Sequence, residues 1–226
     1  MHADSGGKPH AGLVVVPVPE IRDYLQVNRR LTQLLDAGVS RIRLAGVEKQ
    51  RLLVSGLEGP WKATIEIEGS AGPELAAGLN APDLTVIAEG SAADGLGAGM
   101  KAGTLVLTGD TSVAAGYAQI GGTIVVLGSV AERVGLEQVG GHLIVFGRTG
   151  PLVGERQRGG TLVLLGPVDL HGLRHASRGG SVQSPTGLVP GSASISPETL
   201  DFLRRLGQAG LLVENIDLFR DGKKVS

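Results

Sequence analysis

Few residues of this chain have the types and spacing that catalysis or cofactor binding requires. Residues 97–102 match the pattern G-x-G-x-x-A, which binds a dinucleotide diphosphate when it follows a strand and opens a helix. Here Gly97 also belongs to a repeating glycine column, and a further strand is expected from Leu105. The pattern therefore favours a turn of a repeat over a nucleotide site.

Histidines offer a second candidate. His171 and His175 have the H-x₃-H spacing of two metal ligands on one helix face. The intervening Gly172 argues against a helix, and no further histidine and no obvious carboxylate lie close by in sequence. We therefore expect no metal site. His142 takes a position that threonine holds in neighbouring repeats, so we expect it to face the surface from a strand.

Charged residues offer acid–base chemistry or an anion site. Acidic residues lie in the turns of different repeats, where a carboxylate pair could act as general acid and base: Asp94, Asp110, Glu132 and Glu155. No repeat column is consistently acidic, so we expect solvated turns. Arginines make the C-terminal repeats basic, a pattern typical of a solvated face or of an acidic partner's docking site: Arg148, Arg156, Arg158, Arg174 and Arg178.

Composition excludes several classes of protein. The 21 Lys+Arg and 22 Asp+Glu among 226 residues leave a net charge of −1, which argues against nucleic-acid or membrane binding through bulk charge. The chain has no cysteine, so it cannot supply a disulfide or thiolate ligands to a metal or an iron–sulfur cluster. No apolar run approaches the roughly 18 residues of a membrane span, and no signal peptide opens the chain. We expect a cytoplasmic location.

The spacing of glycines indicates the elements that would position these residues. The chain has 37 glycines, and many of them recur every 19 residues in three columns. One column closes each strand, one opens it, and one lies between. We predict that these glycines are structural, supplying either positive φ or close backbone approach at corners: Gly90, Gly97, Gly103, Gly109, Gly116, Gly122, Gly128, Gly135, Gly141, Gly147, Gly154, Gly160 and Gly166.

Each repeat has one short β-branched strand and a return path, so it cannot bury its apolar face alone. Stacking is therefore required, and nineteen residues at about 3.3 Å each suffice for one coil of a three-sided solenoid. We predict an all-β fold, a single-stranded parallel β-helix with about 19 residues per coil. Gln119, Gln138 and Gln157 lie 19 residues apart and are expected to form a stacked amide ladder.

Flanking segments complete the predicted organisation. Residues 1–12 read as a flexible tail, 13–62 as an N-terminal α/β cap, 63–190 as the β-helix and 191–226 as a C-terminal helix and tail. Helices are predicted over 20–36, ending at Gly38, and from Ser196 to a stop at Gly207 or Gly210. Strands are predicted over 41–45, 51–54 and 64–67. Because an open β-helix exposes strand edges, we expect both flanks to cap its ends.

The glycine coils resemble a known family. The stretches 109–117 and 120–128 are similar to the GXGXG domain, which closes the large subunit of glutamate synthase and also occurs as one of the subunits of formylmethanofuran dehydrogenase. The stretches 27–31, 52–57 and 65–69 resemble stand-alone glutamate-synthase domain-3-like proteins, including a subunit of N-methylglutamate synthase. The likeness covers residues 25–185. An insertion around Asn80-Ala-Pro82 departs from the family pattern.

This resemblance implies a right-handed β-helix that serves as a non-catalytic structural subunit of a glutamate-synthase-like amidotransferase complex. It implies two partners, a class II glutamine amidotransferase-like subunit and an FMN-dependent glutamate synthase-like subunit. FMN and the iron–sulfur cluster are expected on those partners, with no cofactor on this chain. One alternative is a scaffold in a formylmethanofuran dehydrogenase or formyltransferase–hydrolase complex, and another is an independent trimeric β-helix enzyme.

The scaffold hypothesis predicts that a corner glycine matters more than any single polar residue. We expect Gly128→Val to destabilise the solenoid because a β-branched residue resists positive φ.

Overall fold

The computed structural model describes residues 12–20, 23–171, 179–185, 189, 192–208, 219–220 and 223–224. The chain forms a parallel β-solenoid flanked by two helices. Its strands are β1 (Val14–Pro17), β2 (Arg41–Glu48), β3 (Ala63–Ser70), β4 (Asn80–Ala88), β5 (Ala102–Leu107), β6 (Thr111–Val113), β7 (Thr123–Val126), β8 (Val130–Glu132), β9 (His142–Val145), β10 (Thr161–Leu164), β11 (Ser181–Gln183), β12 (Phe219–Arg220) and β13 (Lys223–Lys224). The helices are α1 (Tyr24–Asp36) and α2 (Pro197–Gln208).

One side of the solenoid is a nine-stranded sheet in the order β1-β2-β3-β4-β5-β7-β9-β10-β11. Its central strands pair in parallel with the predicted step of 19 residues, so that Leu105, Ile124, Leu143 and Leu162 stack in register. These four side chains point inward and are fully buried. The predicted β-helix is therefore confirmed, and its core is a column of aliphatic side chains.

The other sides of each coil are held together by short strands, single β-bridges and turns. Strands β6 and β8 pair with each other, and single bridges extend their side at Ala71↔Ala92, Ala92↔Thr111, Val130↔Thr149 and Thr149↔Val168. A third side consists of turns joined by backbone hydrogen bonds, such as Gly116 N to Leu96 O at 2.8 Å and Gly135 N to Ala115 O at 2.8 Å. Each coil thus satisfies its backbone through its neighbours.

The early coils are longer than the later ones. Ile65 pairs with Val86, a step of 21 residues, whereas Val86 pairs with Leu105 after 19. The register between β4 and β5 shifts between Asn80 and Thr85. The insertion predicted around Asn80-Ala-Pro82 is therefore absorbed as a β-bulge inside the sheet.

The N-terminal helix is confirmed, but it begins at Tyr24 because the side chain of Asp23 caps it by accepting from the N–H of Leu25. A 3₁₀ turn over Val18–Glu20 precedes it. The strand predicted over residues 51–54 is wrong, since this segment is a turn. Leu52 and Val54 have φ values of 57° and 59° there, which a strand does not allow.

Asn28 of α1 holds this turn in place. Its side-chain amide donates to the carbonyls of Leu52 and Ser55 at 2.8 and 3.2 Å, and its oxygen accepts from Val54 N at 2.8 Å. Helix α1 therefore supplies side-chain hydrogen bonds to the backbone of the first coil.

The C-terminal helix α2 begins as predicted, with the hydroxyl of Ser196 accepting from Thr199 N at 3.2 Å. It passes through Gly207 to Gln208, so the first of the two predicted stops, Gly207, is wrong, and the second, Gly210, lies outside the described residues. Its position also corrects the expectation of an end cap. Leu203 and Leu206 form one buried cluster with the outward-facing aliphatic residues of four strands, namely Val106, Val125, Ile144 and Val163. Helix α2 therefore covers a lateral face of the sheet.

Candidate functional site

The column of closing glycines brings successive coils into backbone contact. A Cβ added to Gly109, Gly128 or Gly147 would lie 2.7, 2.4 and 2.4 Å from the carbonyl oxygen of the closing glycine one coil before. Their φ angles lie outside the left-handed region. The φ-based reason expected for Gly128→Val is therefore wrong, because this column is set by close approach.

The other two columns do need positive φ. The opening glycine Gly122 has φ 69° and the intermediate Gly116 has φ 68°. A Cβ on Gly116 would also lie 2.9 Å from a methyl group of Leu143 in the core, and one on Gly135 would lie 2.6 Å from Leu162. The sequence could not separate these two reasons for glycine, since both leave the same spacing.

The predicted amide ladder is confirmed at the centre of the solenoid. Gln138 donates from Nε2 to Gln119 Oε1 at 3.0 Å, and Gln157 donates from Nε2 to Gln138 Oε1 at 2.9 Å. All three side chains are fully buried. Gln119 and Gln157 also donate to backbone carbonyls of the adjacent glycine corner. The ladder thus ties three corners together from within and leaves its amides unavailable to a substrate.

The residues of the G-x-G-x-x-A pattern form a turn followed by strand β5, so the helix of a dinucleotide site is missing here. Gly97 N donates to Leu75 O at 2.8 Å, and Gly99 N donates to Tyr117 O at 2.7 Å. The amides of Met100 and Lys101 are likewise bonded to backbone carbonyls. No N–H of residues 97–101 is free to bind a phosphate.

Of the two histidines with metal-ligand spacing, His171 is among the described residues and His175 lies outside them. His171 is exposed, with its ring Nδ1 2.6 Å from Asp169 Oδ1. Its backbone N–H also donates to this carboxylate, and these bonds hold the pKa of Asp169 below its usual value. Sequence reasoning found no carboxylate nearby and missed Asp169, two residues away. His142 faces the surface between Thr123 and Thr161, as predicted.

The acidic candidates hold turns together. Asp94 and Asp110 each accept from a backbone N–H one coil later, Val113 N at 3.2 Å and Ser129 N at 2.7 Å. Glu155 lies within 4.0 Å of Arg133 and Arg156. Asp94, Asp110 and Glu155 are thus each engaged with a neighbouring coil. Glu132 instead lies 4.0 Å from Arg133, its neighbour in sequence.

Among the basic candidates, Arg156 pairs with Glu137 at 3.0 Å. Arg148 and Arg158 are exposed and form no ion pair with the described residues. Arg174 and Arg178 lie outside the described part of the chain. The basic patch is thus partly neutralised by its own coils.

A family model described as the GXGXG motif matches residues 41–225. The chain belongs to the GXGXG motif family. The resemblance stated from the glycine coils is confirmed, and the match covers the coils, helix α2 and the C-terminal segment. No curated protein and no solved structure gives a significant match to this chain.

Cofactor ligands are scarce in this GXGXG chain. It has no cysteine, and the described residues bring no three His, Asp or Glu side chains together in a group that could hold a metal ion. Neither helix in the described part of the chain is long and apolar enough to cross a membrane.

A cleft of about 320 Å³ lies between helix α2 and strands β9 to β11. Three of its polar residues bind one another, since Gln183 Oε1 accepts from Ser196 N and Thr199 Oγ1 at 3.1 and 3.0 Å. Backbone hydrogen bonding at the helix start and the Ser196 hydroxyl lower the pKa of Glu198. The N-terminus of α2 therefore already holds its own carboxylate, and the cleft serves to anchor the helix.

Proposed function

We propose that this chain is a non-catalytic assembly subunit of a glutamate-synthase-like amidotransferase complex. The family match over residues 41–225 carries the proposal. The use of the candidate polar groups supports it. The buried glutamines and the turn aspartates bond to neighbouring coils, and every amide of residues 97–101 already bonds to a backbone carbonyl of its own turn or of a neighbouring coil. A protein built this way offers a rigid rod with surfaces for partners.

The proposed partners are a class II glutamine amidotransferase-like subunit and an FMN-dependent glutamate synthase-like subunit. The first would release ammonia from glutamine, and the second would use it in a flavin-dependent synthesis. FMN and the iron–sulfur cluster belong to the partners in this proposal. The chain's lack of cysteine supports that assignment, because such clusters are held by thiolates.

The proposal is tested by recovering a tagged copy of the full chain from its native host, with an untagged strain as control. Partners are identified by mass spectrometry, and the eluate is scanned for flavin absorbance. We expect an N-terminal-cysteine glutaminase and a flavoprotein. A metal-dependent formyl-processing enzyme would instead favour the formylmethanofuran alternative, and a lone homotrimer would favour an independent enzyme.

A second arm tests the absence of catalytic residues on this chain. His142→Ala and His171→Ala, at exposed positions, should leave the activity of the recovered complex within about twofold of wild type. Loss of activity in either variant with assembly intact would contradict a purely structural role.

A further inference from the structure

One corner of the solenoid carries an exposed strip of four residues, Lys101, Ile120, Val139 and Arg158, one from each of four successive coils. They stack directly on one another. The backbone N–H groups of Ile120, Val139 and Arg158 donate, at 2.7 to 2.8 Å, to the carbonyls of Met100, Gln119 and Gln138, respectively. Each of these acceptors comes immediately before the strip residue of the preceding coil. Ile120 is 54% exposed and Val139 45% exposed. Two aliphatic side chains in water thus stand between two cations.

A column of glycines, which have no side chains, lies beside the strip. Glycines follow Ile120, Val139 and Arg158 at positions 121, 140 and 159. A Cβ on any of these glycines would lie 2.1 to 2.3 Å from a strip member's carbonyl one coil below. The close stacking of the coils therefore excludes side chains from this glycine column. A second chain can approach the strip over the glycines, where no side chain is in the way.

The cations of the strip lack acidic partners among the residues that the structure describes, whereas Arg133 and Arg156 on the adjoining turn contact Glu155 and Glu137. Neighbouring coils are about 4.8 Å apart, so Lys101 and Arg158 are separated by about 14 Å along the solenoid axis. The strip therefore presents two positive charges about 14 Å apart, with two aliphatic side chains between them.

We propose that the exposed strip binds an extended segment of a partner subunit with acidic residues at positions i and i+4 and an apolar residue at i+2. An extended chain advances about 3.4 Å per residue, so its i and i+4 side chains lie on one face about 14 Å apart. The i+2 side chain then falls between Ile120 and Val139. Charge and spacing both match.

A second copy of this chain does not satisfy the strip. Two strips related by a two-fold axis would place Lys101 against Arg158 of the other copy, and like charges facing each other oppose association. The proposal rests on the proposed function, because it needs a partner subunit that carries the segment.

The probe is a fluorescein-labelled heptapeptide, Ser-Glu-Thr-Leu-Thr-Glu-Ser, titrated with the full chain and followed by anisotropy at low salt. We expect saturable binding that weakens at least tenfold when both Glu are replaced by Gln. Ile120→Asp should also weaken it at least tenfold, whereas Leu25→Asp, at a 49% exposed position on α1, should not change it.

Charge reversal provides a gain-of-function arm. The double variant Lys101→Glu/Arg158→Glu should bind the Glu peptide at least tenfold more weakly and should prefer a peptide with Lys at both acidic positions. Absence of saturable binding to wild type at millimolar protein, or equal binding of the Glu and Gln peptides, would overturn the proposal.

The host pull-down separates this proposal from the proposed function. Recovery of the same subunits by wild type and Ile120→Asp in equal yield would refute the strip as a docking surface and leave the assembly role standing. Recovery of no glutaminase or flavoprotein by wild type would refute the assembly role, while the peptide titration still decides the chemistry of the strip.

Discussion

The contact between Gly128 and the coil below it predicts a large effect of one added methyl group. In Gly128→Ala the new Cβ would lie 2.4 Å from the carbonyl oxygen of Gly109 and 2.5 Å from the carboxylate of Asp110. Both atoms belong to the neighbouring coil, and the Asp110 carboxylate accepts from Ser129 N at 2.7 Å. The methyl group cannot be accommodated unless the coils separate and that hydrogen bond lengthens.

The magnitude follows from two contributions. Forcing extra volume into a packed site costs about 1–3 kcal/mol, and loss of a hydrogen bond to a charged group costs about 1.5–3 kcal/mol. We expect a loss of about 3–5 kcal/mol in the free energy of unfolding. For a chain of this length the melting temperature should fall by roughly 10 °C.

The assay is thermal unfolding followed by circular dichroism, with Gly99→Ala as the matched control. Gly99 has φ 62° but no atom within 4 Å of an added Cβ, so its substitution should cost only the backbone strain of about 1–2 kcal/mol. If Gly128→Ala melted like wild type, or no lower than Gly99→Ala, the argument from close approach would be refuted.

Three further substitutions test other contacts. Gln138→Leu leaves Gln119 Oε1 without its donor, so the urea midpoint should fall by the equivalent of about 1–3 kcal/mol; an unchanged midpoint would count against the ladder. Asn28→Ala removes three hydrogen bonds to the first coil and should destabilise the chain by about 2–4 kcal/mol, whereas the exposed Arg29→Ala should stay within about 0.5 kcal/mol of wild type. Hydrogen bonds from Arg41, and then from Arg43, lower the pKa of Glu66, so this carboxylate stabilises the fold above its ordinary pKa of 4.5 and ceases to do so as the pH falls through the lowered value. The stability lost in Glu66→Gln should accordingly be greatest at neutral pH and vanish in acid, and a loss independent of pH would contradict this assignment.

The fold was predictable from sequence because the glycine period fixes the coil length and stacking is compulsory for such short strands. The buried glutamines were predictable for the same reason, since residues 19 apart occupy equivalent places. By contrast, the segment 51–54 contains two leucines and a valine, which are typical of a strand. Its turn arises from tertiary contacts with Asn28 and from burial of Leu53 and Val54, which override local propensity.

The sequence indicates that an element covers the outer face of the sheet, but it does not indicate that this element is α2. Strands such as Leu-Val-Leu at 105–107 are apolar on both faces, a pattern typical of sheets covered on both sides. Val106 and its equivalents therefore required a covering element. Which element it is could not be known, because the apolar stripe of α2 fits an end cap as well as a sheet face.

The exposed strip was predictable only in part. The period of 19 places Lys101, Ile120, Val139 and Arg158 at equivalent positions of successive coils, but it does not say whether these positions face the core or water. Aliphatic residues such as Ile120 and Val139 are most often buried, whereas the turn geometry places both of them in water.

The mass of the assembly that contains the tagged chain, measured by native mass spectrometry directly from its host, tests the central claim most directly. We expect a complex that holds this 23.1 kDa chain together with other polypeptides and flavin, and that releases the chain free of flavin on dissociation. A mass equal to one copy of the chain, or to a whole multiple of it, with no other polypeptide, would contradict the assembly role.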